Sequence, residues 1–181
     1  GVRKRRLRGE AYYDVIERFI QGVRRVFPRA LLQWEDFGKE HAYVLLNRYV
    51  ERLPSFNDDI QGTGAVAAAA MRTAAKTKKR PLSQVRFVIY GFGQARSGVA
   101  NAVANVMMSD EGLSFAEARR RIYAIDKPGL LLEGMQLEDY QRPFAQSLEE
   151  ISSWPVDKGH PPQLADVVKH DQQQIRMDGA R

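Results

Sequence analysis

The feature that most constrains the fold is a glycine-rich turn set between a predicted strand and a predicted helix. Val85–Tyr90 is a β-branched and aromatic run, typical of a central parallel strand. The turn Gly91–Gly98 follows it directly, and Gly98–Met108 has the apolar spacing of a helix. A second apolar strand, Ile122–Ile125, ends in Asp126. Strand, glycine turn, helix, strand and acid together predict half of a doubly wound α/β domain.

The turn has a G-x-G-x-A-x-x-G pattern, which fits a loop that binds the pyrophosphate of a dinucleotide. Gly91 would make the tight turn, Gly93 would let the backbone approach the phosphates, and Gly98 would allow close packing of helix on strand. The free N–H groups at the start of the helix would face the phosphates. An ordinary glycine turn is the alternative. The candidate nucleotide-binding residues of the turn are Gly91, Gly93, Gln94, Ala95 and Gly98.

The acid that closes the second strand, Asp126, could accept hydrogen bonds from the adenosine ribose hydroxyls. It lies 28 residues after Gly98, a longer interval than usual, because Ser109–Arg121 is inserted. A carboxylate at this position favours NAD, since it would repel the 2′-phosphate of NADP. Lys127 follows directly and could offset that repulsion, so NADP stays possible.

The rest of the chain alternates helical and extended patterns up to a polar end. The sequence predicts an amphipathic helix over Tyr12–Phe27, a short buried strand at Ala30–Trp34, helices at Glu40–Arg52, Ala65–Ala75 and Phe115–Arg121, an exposed lysine-rich loop up to Pro81, and a helical turn at Leu164–Val168. A doubly wound domain needs a further apolar strand after that turn. Asp171–Arg181 is too polar for a buried strand, so the predicted sheet is left unfinished.

Two pairs of carboxylates are candidates for a cation site. Glu35 and Asp36 follow the strand Ala30–Trp34, and Asp58 and Asp59 lie in a turn just before a glycine-opened helix. Carboxylates at strand ends point into the crevice where α/β domains bind ligands. Oxygen ligands without cysteine or a nearby histidine suit Mg²⁺ or Mn²⁺. The alternative is that Asp59 simply caps the following helix.

Composition excludes several classes of protein. There is no cysteine among the 181 residues, so disulfides, zinc–thiolate sites, iron–sulfur clusters and thiol nucleophiles are excluded. No window holds 18 consecutive apolar residues, so we expect no membrane partner. The chain begins at Gly1 and has no apolar signal segment, which predicts a fragment whose parent protein is cytoplasmic or lies in the mitochondrial matrix.

The formal net charge of +6 is concentrated in two short runs. Gly1–Arg8 carries five basic residues and Arg72–Arg86 carries six, with no acid in either, while the rest of the chain has 17 basic and 22 acidic residues. A nucleic-acid binder would add stacking aromatic residues or a recognised motif to such runs. Neither run has them, so we interpret both as solvated and expect no nucleic-acid partner. Steeply salt-dependent binding of DNA or RNA would contradict this interpretation.

Three strings in the chain resemble malic enzymes: Glu-Asp-Phe-Gly at Glu35–Gly38, Phe-Asn-Asp-Asp-Ile-Gln-Gly-Thr-Gly at Phe56–Gly64, and the glycine turn. Similar strings also occur at Arg8–Tyr12 and Ile125–Leu131, so the resemblance runs from about residue 8 to about residue 170. The long insertion before Asp126 is normal in that family. The turn carries Phe92 and Arg96 where the family usually has smaller residues.

The resemblance implies a role for each candidate residue. Glu35, Asp36 and Asp59 match the three carboxylates that hold the divalent metal, and Asp58 matches the acid that supports them. Asp59, the glycine turn and Asp126 would contact the nucleotide. The family's general-acid tyrosine and general-base lysine lie upstream of the strings present here, so no catalytic residue is predicted within this chain.

The family oxidises L-malate with NAD or NADP and decarboxylates the bound oxaloacetate to pyruvate, as a homo-oligomer. The implied fold is α/β, with an incomplete Rossmann-like doubly wound parallel sheet preceded by a helix-rich piece of the metal- and substrate-binding domain. The implied domains are residues 1–58 and 59–170, followed by a divergent polar tail, 171–181. Two alternatives stay open: a catalytically silent nucleotide-binding or subunit-interaction module, and a malolactic-type enzyme that releases lactate.

Overall fold

A computed structural model describes residues 3–154 and 159–170 of the chain. The chain divides into two compact units, Gly1–Phe56 and Asn57–Arg181. The first unit holds two helices joined by a short strand, and a second strand ends at the boundary. Its elements are α1 (Glu10–Val26), β1 (Leu32–Trp34), α2 (Lys39–Tyr49) and β2 (Ser55–Asn57).

The predicted amphipathic helix near the start of the chain is confirmed as α1. It ends at Val26, two residues before Pro28, which cannot continue a helix. The inner faces of α1, β1 and α2 meet in one apolar core, in which Ile20, Trp34, Leu45 and Tyr49 are buried. This core holds the carboxyl end of β1 in place.

The buried strand predicted at Ala30–Trp34 is only partly correct. β1 contains its last three residues, and of these only Trp34 is fully buried, while Leu31 is 64% exposed. The reason is that only one face of β1, which carries Leu32 and Trp34, packs on the apolar core of this unit, while the other face is exposed. α2 ends at Tyr49, three residues before the predicted end.

The second unit begins with a π-helix and then alternates helices with strands. Its elements are the π-helix (Asp58–Gly62), α3 (Thr63–Lys78), β3 (Phe87–Tyr90), α4 (Gln94–Glu111), α5 (Phe115–Arg119), β4 (Ile122–Asp126) and β5 (Gly129–Leu130), with 3₁₀ turns at Leu82–Gln84 and Arg142–Phe144. Residues 164–170 are helical, as the sequence predicts. The prediction for Asp171–Arg181 lies outside the described residues.

The sheet of the second unit has the strand order β3-β4-β5. β3 and β4 are parallel, with Phe87 opposite Ile122 and Tyr90 opposite Ile125, which confirms the predicted parallel pair. β5 returns antiparallel to β4 in a hairpin that the sequence pattern did not indicate. β3 was predicted to be central, but within the described residues it is an edge strand that pairs with β4 alone.

β4 is covered on both faces, whereas β3 is buried on one face only, since Val88 and Tyr90 are exposed. Phe87, Ile89 and Ile122 face a core built with α3 and α4. Tyr123 and Ile125 point to the opposite face and pack in a second core with Leu130, Leu132, Ile151, Trp154 and Val167. Alternate residues of β4 therefore enter two different cores, as in a doubly wound α/β layer. The predicted α/β class is confirmed.

Other boundaries differ from the predicted ones by a few residues. α3 continues to Lys78, so only Lys79 and Arg80 of the basic stretch before Pro81 leave the helix. Lys79 adopts a left-handed conformation that ends α3. In residues 3–154 and 159–170, no helix is both long enough and apolar enough to span a bilayer.

Candidate functional site

The glycine turn is fixed to the end of the neighbouring parallel strand. Gly91 has φ +78°, in the left-handed region that glycine adopts without a steric cost. Its N–H and that of Phe92 donate to the same carbonyl, that of Ile125, at 2.7 and 3.1 Å. The turn after β3 and the last residues of β4 therefore form one edge of the sheet, where α/β domains bind ligands.

Gly93 stands directly before α4 and leaves open space above it. A Cβ built on Gly93 would meet no atom within 4 Å. The helix's first hydrogen bond runs from the Ser97 N–H to the Gly93 carbonyl at 2.9 Å. The N–H groups of Gln94 and Ala95 precede that bond and have no acceptor within the helix. These residues therefore offer backbone donors and room for an anion, as the sequence pattern predicts.

Gly98 has a packing role, but its partner differs from the predicted one. The sequence pattern assigns it to packing of helix on strand, whereas in the structure a Cβ on Gly98 would collide with the carbonyl oxygen of Ile60 in the π-helix. Gly64 in α3 is also close, since its Cβ would lie 2.7 Å from the Gly98 carbonyl oxygen. Two glycines thus let the backbones of α4, the π-helix and α3 touch.

Asp126 lies at the end of β4 beside the turn, and its carboxylate is held from two sides. Oδ1 accepts from the Lys127 backbone N–H at 2.9 Å, and Oδ2 accepts from Nε2 of Gln141 at 2.9 Å. The same Nε2 donates to the Phe92 carbonyl at 3.0 Å. A buried side-chain amide therefore joins the glycine turn to the acid predicted to bind the ribose.

The two unusual residues of the turn have separate environments. The Phe92 ring is fully buried, 5.4 Å from the ring centre of Phe144, and anchors the turn in the core. Arg96 is exposed, and its Nη1 donates to the Gly91 carbonyl at 2.9 Å. The guanidinium occupies the space that a side chain on Gly91 would need. The positive charge of Arg96 is thus held beside Gly91, the first residue of the turn.

The first acidic pair lies in the first unit, directly after β1. Carboxylate oxygens of Glu35 and Asp36 lie within 4.8 Å of each other, and both residues are exposed. Glu35 accepts a hydrogen bond from Gln33 Nε2 at 2.6 Å. Asp36 has φ +58°, a left-handed conformation that is uncommon outside glycine and that aspartate and asparagine tolerate better than most other residues. Backbone strain of this kind is typical of functional sites.

The second acidic pair lies on the π-helix of the second unit. Asp58 and Asp59 are half-buried in its first turn. Asn57 is fully buried and caps this helix, because its Oδ1 accepts from the Ile60 N–H at 2.9 Å. The π-helix runs directly into α3, so Asn57 caps the start of both. π-Helical turns are rare and occur often at functional sites.

Comparison with known protein families decides what this arrangement belongs to. Residues 60–177 match the family model of the malic enzyme NAD-binding domain, and residues 1–50 match that of the malic enzyme N-terminal domain. The chain belongs to the malic enzyme family. The resemblance carried by the acidic strings and the glycine turn is thereby confirmed.

Named malic enzymes are similar over most of this chain. The NAD-dependent malic enzyme 3 of Bacillus subtilis is 44% identical over 155 residues, which are 85% of this chain and 27% of that protein. The NAD-dependent malic enzyme of Pseudomonas syringae pv. syringae is 43% identical over 171 residues, which are 94% of this chain and 30% of that protein. The chain thus spans less than a third of the length of these malic enzymes.

Solved malic enzyme structures share the fold. The NAD-dependent malic enzyme of Thermotoga maritima matches with a TM-score of 0.57 and 26% identity, over 73% of this chain and 33% of that one. The Entamoeba histolytica malic enzyme matches with a TM-score of 0.56 and 23% identity, over 72% and 25% of the two chains. The second likeness shows the fold alone.

Two groups that contact the glycine turn were not predicted from the sequence. One is the amide of Gln141, which lies in an irregular segment where no periodicity or motif marks it. The other is the backbone carbonyl of Ile60, which determines why residue 98 must be glycine. No side-chain pattern can indicate a backbone partner, although Ile60 does lie within the acidic string.

Proposed function

We propose that this chain supplies the nucleotide-binding turn and metal-binding carboxylates of a malic enzyme, which oxidises L-malate with NAD and decarboxylates the product to pyruvate. The observation that carries the proposal is the glycine turn hydrogen-bonded to the end of β4, beside Asp126, in a chain of the malic enzyme family. The named relatives are NAD-dependent, which supports NAD over NADP.

NAD would lie across the edge formed by the turn and the end of β4. The open space above Gly93 fits a pyrophosphate, which would accept hydrogen bonds from the N–H groups of Gln94 and Ala95. Asp126 would accept from the adenosine ribose hydroxyls, since each of its oxygens has a second lone pair beyond its present hydrogen bond. NADP would bring its 2′-phosphate against this carboxylate, which costs affinity.

The proposed ligands of a divalent metal are Glu35, Asp36 and Asp59, supported by Asp58. Their donor atoms fit Mg²⁺ or Mn²⁺, because both ions prefer carboxylate oxygen. The close carboxylate oxygens of Glu35 and Asp36, and the strained backbone of Asp36, support a binding role for that pair. When bound, such a metal acts as a Lewis acid on the C2 oxygen of the substrate. No residue of this chain is proposed as a proton-transfer group.

Two titrations test the proposal on the 181-residue chain. Isothermal titration with NAD should give one site, and NADP should bind more weakly. Mn²⁺ titration, followed by the loss of its free electron-paramagnetic signal, should give a site that Asp59→Asn weakens about tenfold or more, since it removes a charged ligand.

Asp139→Asn is the matched control for the metal titration. Asp139 is a fully exposed acid of the same unit, so its substitution should leave Mn²⁺ affinity unchanged. An unaltered chain that binds no NAD would overturn the nucleotide assignment. Equal Mn²⁺ affinities for Asp59→Asn and Asp139→Asn would overturn the metal assignment.

A further inference from the structure

We propose that Gln141 is a positioning residue that fixes the ribose-binding carboxylate of Asp126 relative to the glycine turn. Nucleotide affinity then depends on Gln141 through the ribose 2′-hydroxyl. The inference rests on the proposed binding of NAD at this turn. It adds a positioning residue, Gln141, and a preference for ligands that carry the ribose 2′-hydroxyl.

The contacts of Gln141 use every polar atom of its side chain. Nε2 donates to Asp126 Oδ2 at 2.9 Å and to the Phe92 carbonyl at 3.0 Å, while Oε1 accepts from the Glu138 N–H at 3.1 Å. A primary amide has two N–H donors, and both are committed here. Gln141 is 7% exposed, so water does not compete well for these bonds.

These bonds give Asp126 a defined orientation. The Lys127 N–H holds one carboxylate oxygen and Gln141 holds the other, so rotation about the last side-chain bond would break both. The Phe92 carbonyl belongs to the turn that would hold the pyrophosphate. One amide thus sets the distance between the groups that would bind the phosphates and the ribose. Binding is tighter when the groups that meet a ligand are already ordered.

The chain contains a matched residue that lacks this role. Gln146 is 2% exposed, and its Nε2 donates to the Ile122 carbonyl at 2.9 Å and to the Arg119 carbonyl at 3.4 Å. Like Gln141, it is a buried amide that joins a loop to β4. Its partners are Ile122, the first residue of β4, and Arg119, the last residue of α5, whereas Asp126 lies at the other end of β4. Substitution of Gln146 removes comparable buried hydrogen bonds but changes no contact of the glycine turn or of Asp126.

The test compares ADP with 2′-deoxy-ADP as calorimetric ligands of the full chain and of two variants. Gln141→Met keeps the length of the side chain and removes its donors, and Gln146→Met is the control. For the unaltered chain and for Gln146→Met, ADP should bind about tenfold more tightly than 2′-deoxy-ADP, the order of one hydrogen bond to a charged group. For Gln141→Met this preference should fall to about twofold or less.

Asp126→Asn gives a second, independent measurement. In that background the preference for the 2′-hydroxyl should already be lost, and adding Gln141→Met should change it no further. A preference unchanged by Gln141→Met would overturn the inference, and so would equal losses in Gln141→Met and Gln146→Met. If Gln141→Met does not fold while Gln146→Met does, Gln141→Glu replaces it, and retention of the full preference there would overturn the inference.

The two proposals fail in different ways. An unaltered chain that binds neither ADP nor 2′-deoxy-ADP would overturn the proposed nucleotide site, and this inference with it. An unaltered chain that binds ADP with no dependence on Gln141 would overturn the inference alone.

Discussion

The carbonyl oxygen of Ile60 fills the place where a side chain on Gly98 would begin. Ile60 is the middle residue of the π-helix that carries Asp58 and Asp59, and Gly98 lies in the second turn of α4. The contact is backbone against backbone, so neither partner can move aside by changing a rotamer. It ties the acidic turn to the helix whose N-terminus faces the proposed pyrophosphate site.

We therefore expect Gly98→Ala to destabilise the chain. Its Cβ would overlap the Ile60 carbonyl, and overpacking of a tight contact costs about 1–3 kcal/mol. Urea unfolding followed by circular dichroism measures the change. The control is Gly22→Ala. Gly22 is a helical glycine of the first unit with nothing within 4 Å of its Cβ position, so this substitution should stabilise the chain slightly. A stable Gly98→Ala chain would contradict the close contact.

Gly93→Ala, unlike Gly98→Ala, should leave stability nearly unchanged and should instead weaken NAD binding. The backbone of Gly93, at φ −85° and ψ −173°, is open to any residue, and a Cβ there meets no atom of the chain. Stability should change by less than about 1 kcal/mol, because a weaker helix cap is offset by a stiffer unfolded chain. NAD affinity should fall tenfold or more, since the methyl group would stand between the phosphates and their backbone donors. Calorimetric titration with NAD decides the matter, and unchanged affinity would exclude a pyrophosphate above Gly93.

Arg96→Gln should weaken ADP binding by about two- to fivefold at low salt, the range of an exposed ion pair of about 0.4–1 kcal/mol. This difference in ADP affinity should disappear in 0.5 M salt, where charges more than about 5 Å apart are largely screened from each other. Arg72→Gln is the matched control, because it removes the same charge from an arginine paired with Asp110 near the far end of α4. Tighter ADP binding by Arg96→Gln would mean that the guanidinium blocks the site.

Asp36 offers a way to separate charge from backbone strain. Asp36→Asn and Asp36→Ala both remove the carboxylate, so both should weaken Mn²⁺ binding. Only Asp36→Ala should lower the melting temperature, because asparagine tolerates φ +58° whereas alanine pays about 1 kcal/mol there. Differential scanning fluorimetry with and without Mn²⁺ measures both effects. Equal melting temperatures for the two variants would contradict the left-handed conformation of residue 36.

The hydrogen bonds of the Glu17 carboxylate predict that the folded chain loses stability in acid. Hydrogen bonds from Arg52 and Tyr49 lower the pKa of the Glu17 carboxyl from its ordinary 4.5 to about 2. A carboxyl with a lowered pKa in the folded state contributes stability above pH 4.5 and loses it as the pH falls toward 2. The melting temperature of the unaltered chain should drop between pH 5 and pH 3 more steeply than that of Glu17→Gln. Glu51→Gln, at an exposed glutamate of the same unit, should keep the steep dependence.

The regular elements could be predicted from sequence because their side chains repeat with a period. The helical spacing between Tyr12 and Phe27 identifies α1, and the apolar runs at Val85–Tyr90 and Ile122–Ile125 identify a parallel pair. β5 has two residues and therefore no period to detect. The position of β3 at an edge could not be predicted either, because an apolar run does not indicate which strands flank it.

Part of the candidate site could be predicted from its glycine motif, and not from side chains that repeat with a period. The glycine pattern states which backbone positions need space, and the structure shows that space at Gly93. Gln141 could not be found this way, since it acts across 49 residues through a single amide within an irregular loop. The metal assignment rests on family resemblance, and the π-helix beneath Asp58 and Asp59 has no signature in composition or spacing.

The π-helix also limits how this segment can change length. A π-turn holds one residue more than an α-turn, and each residue of a helix rotates the next by about 100°. Deletion of one residue between Asn57 and Gly64 would therefore swing Asp58 and Asp59 by more than a quarter turn about the axis of α3. It would also move the Ile60 carbonyl away from Gly98. Insertions and deletions should thus be eliminated from this segment during evolution even where single substitutions are accepted.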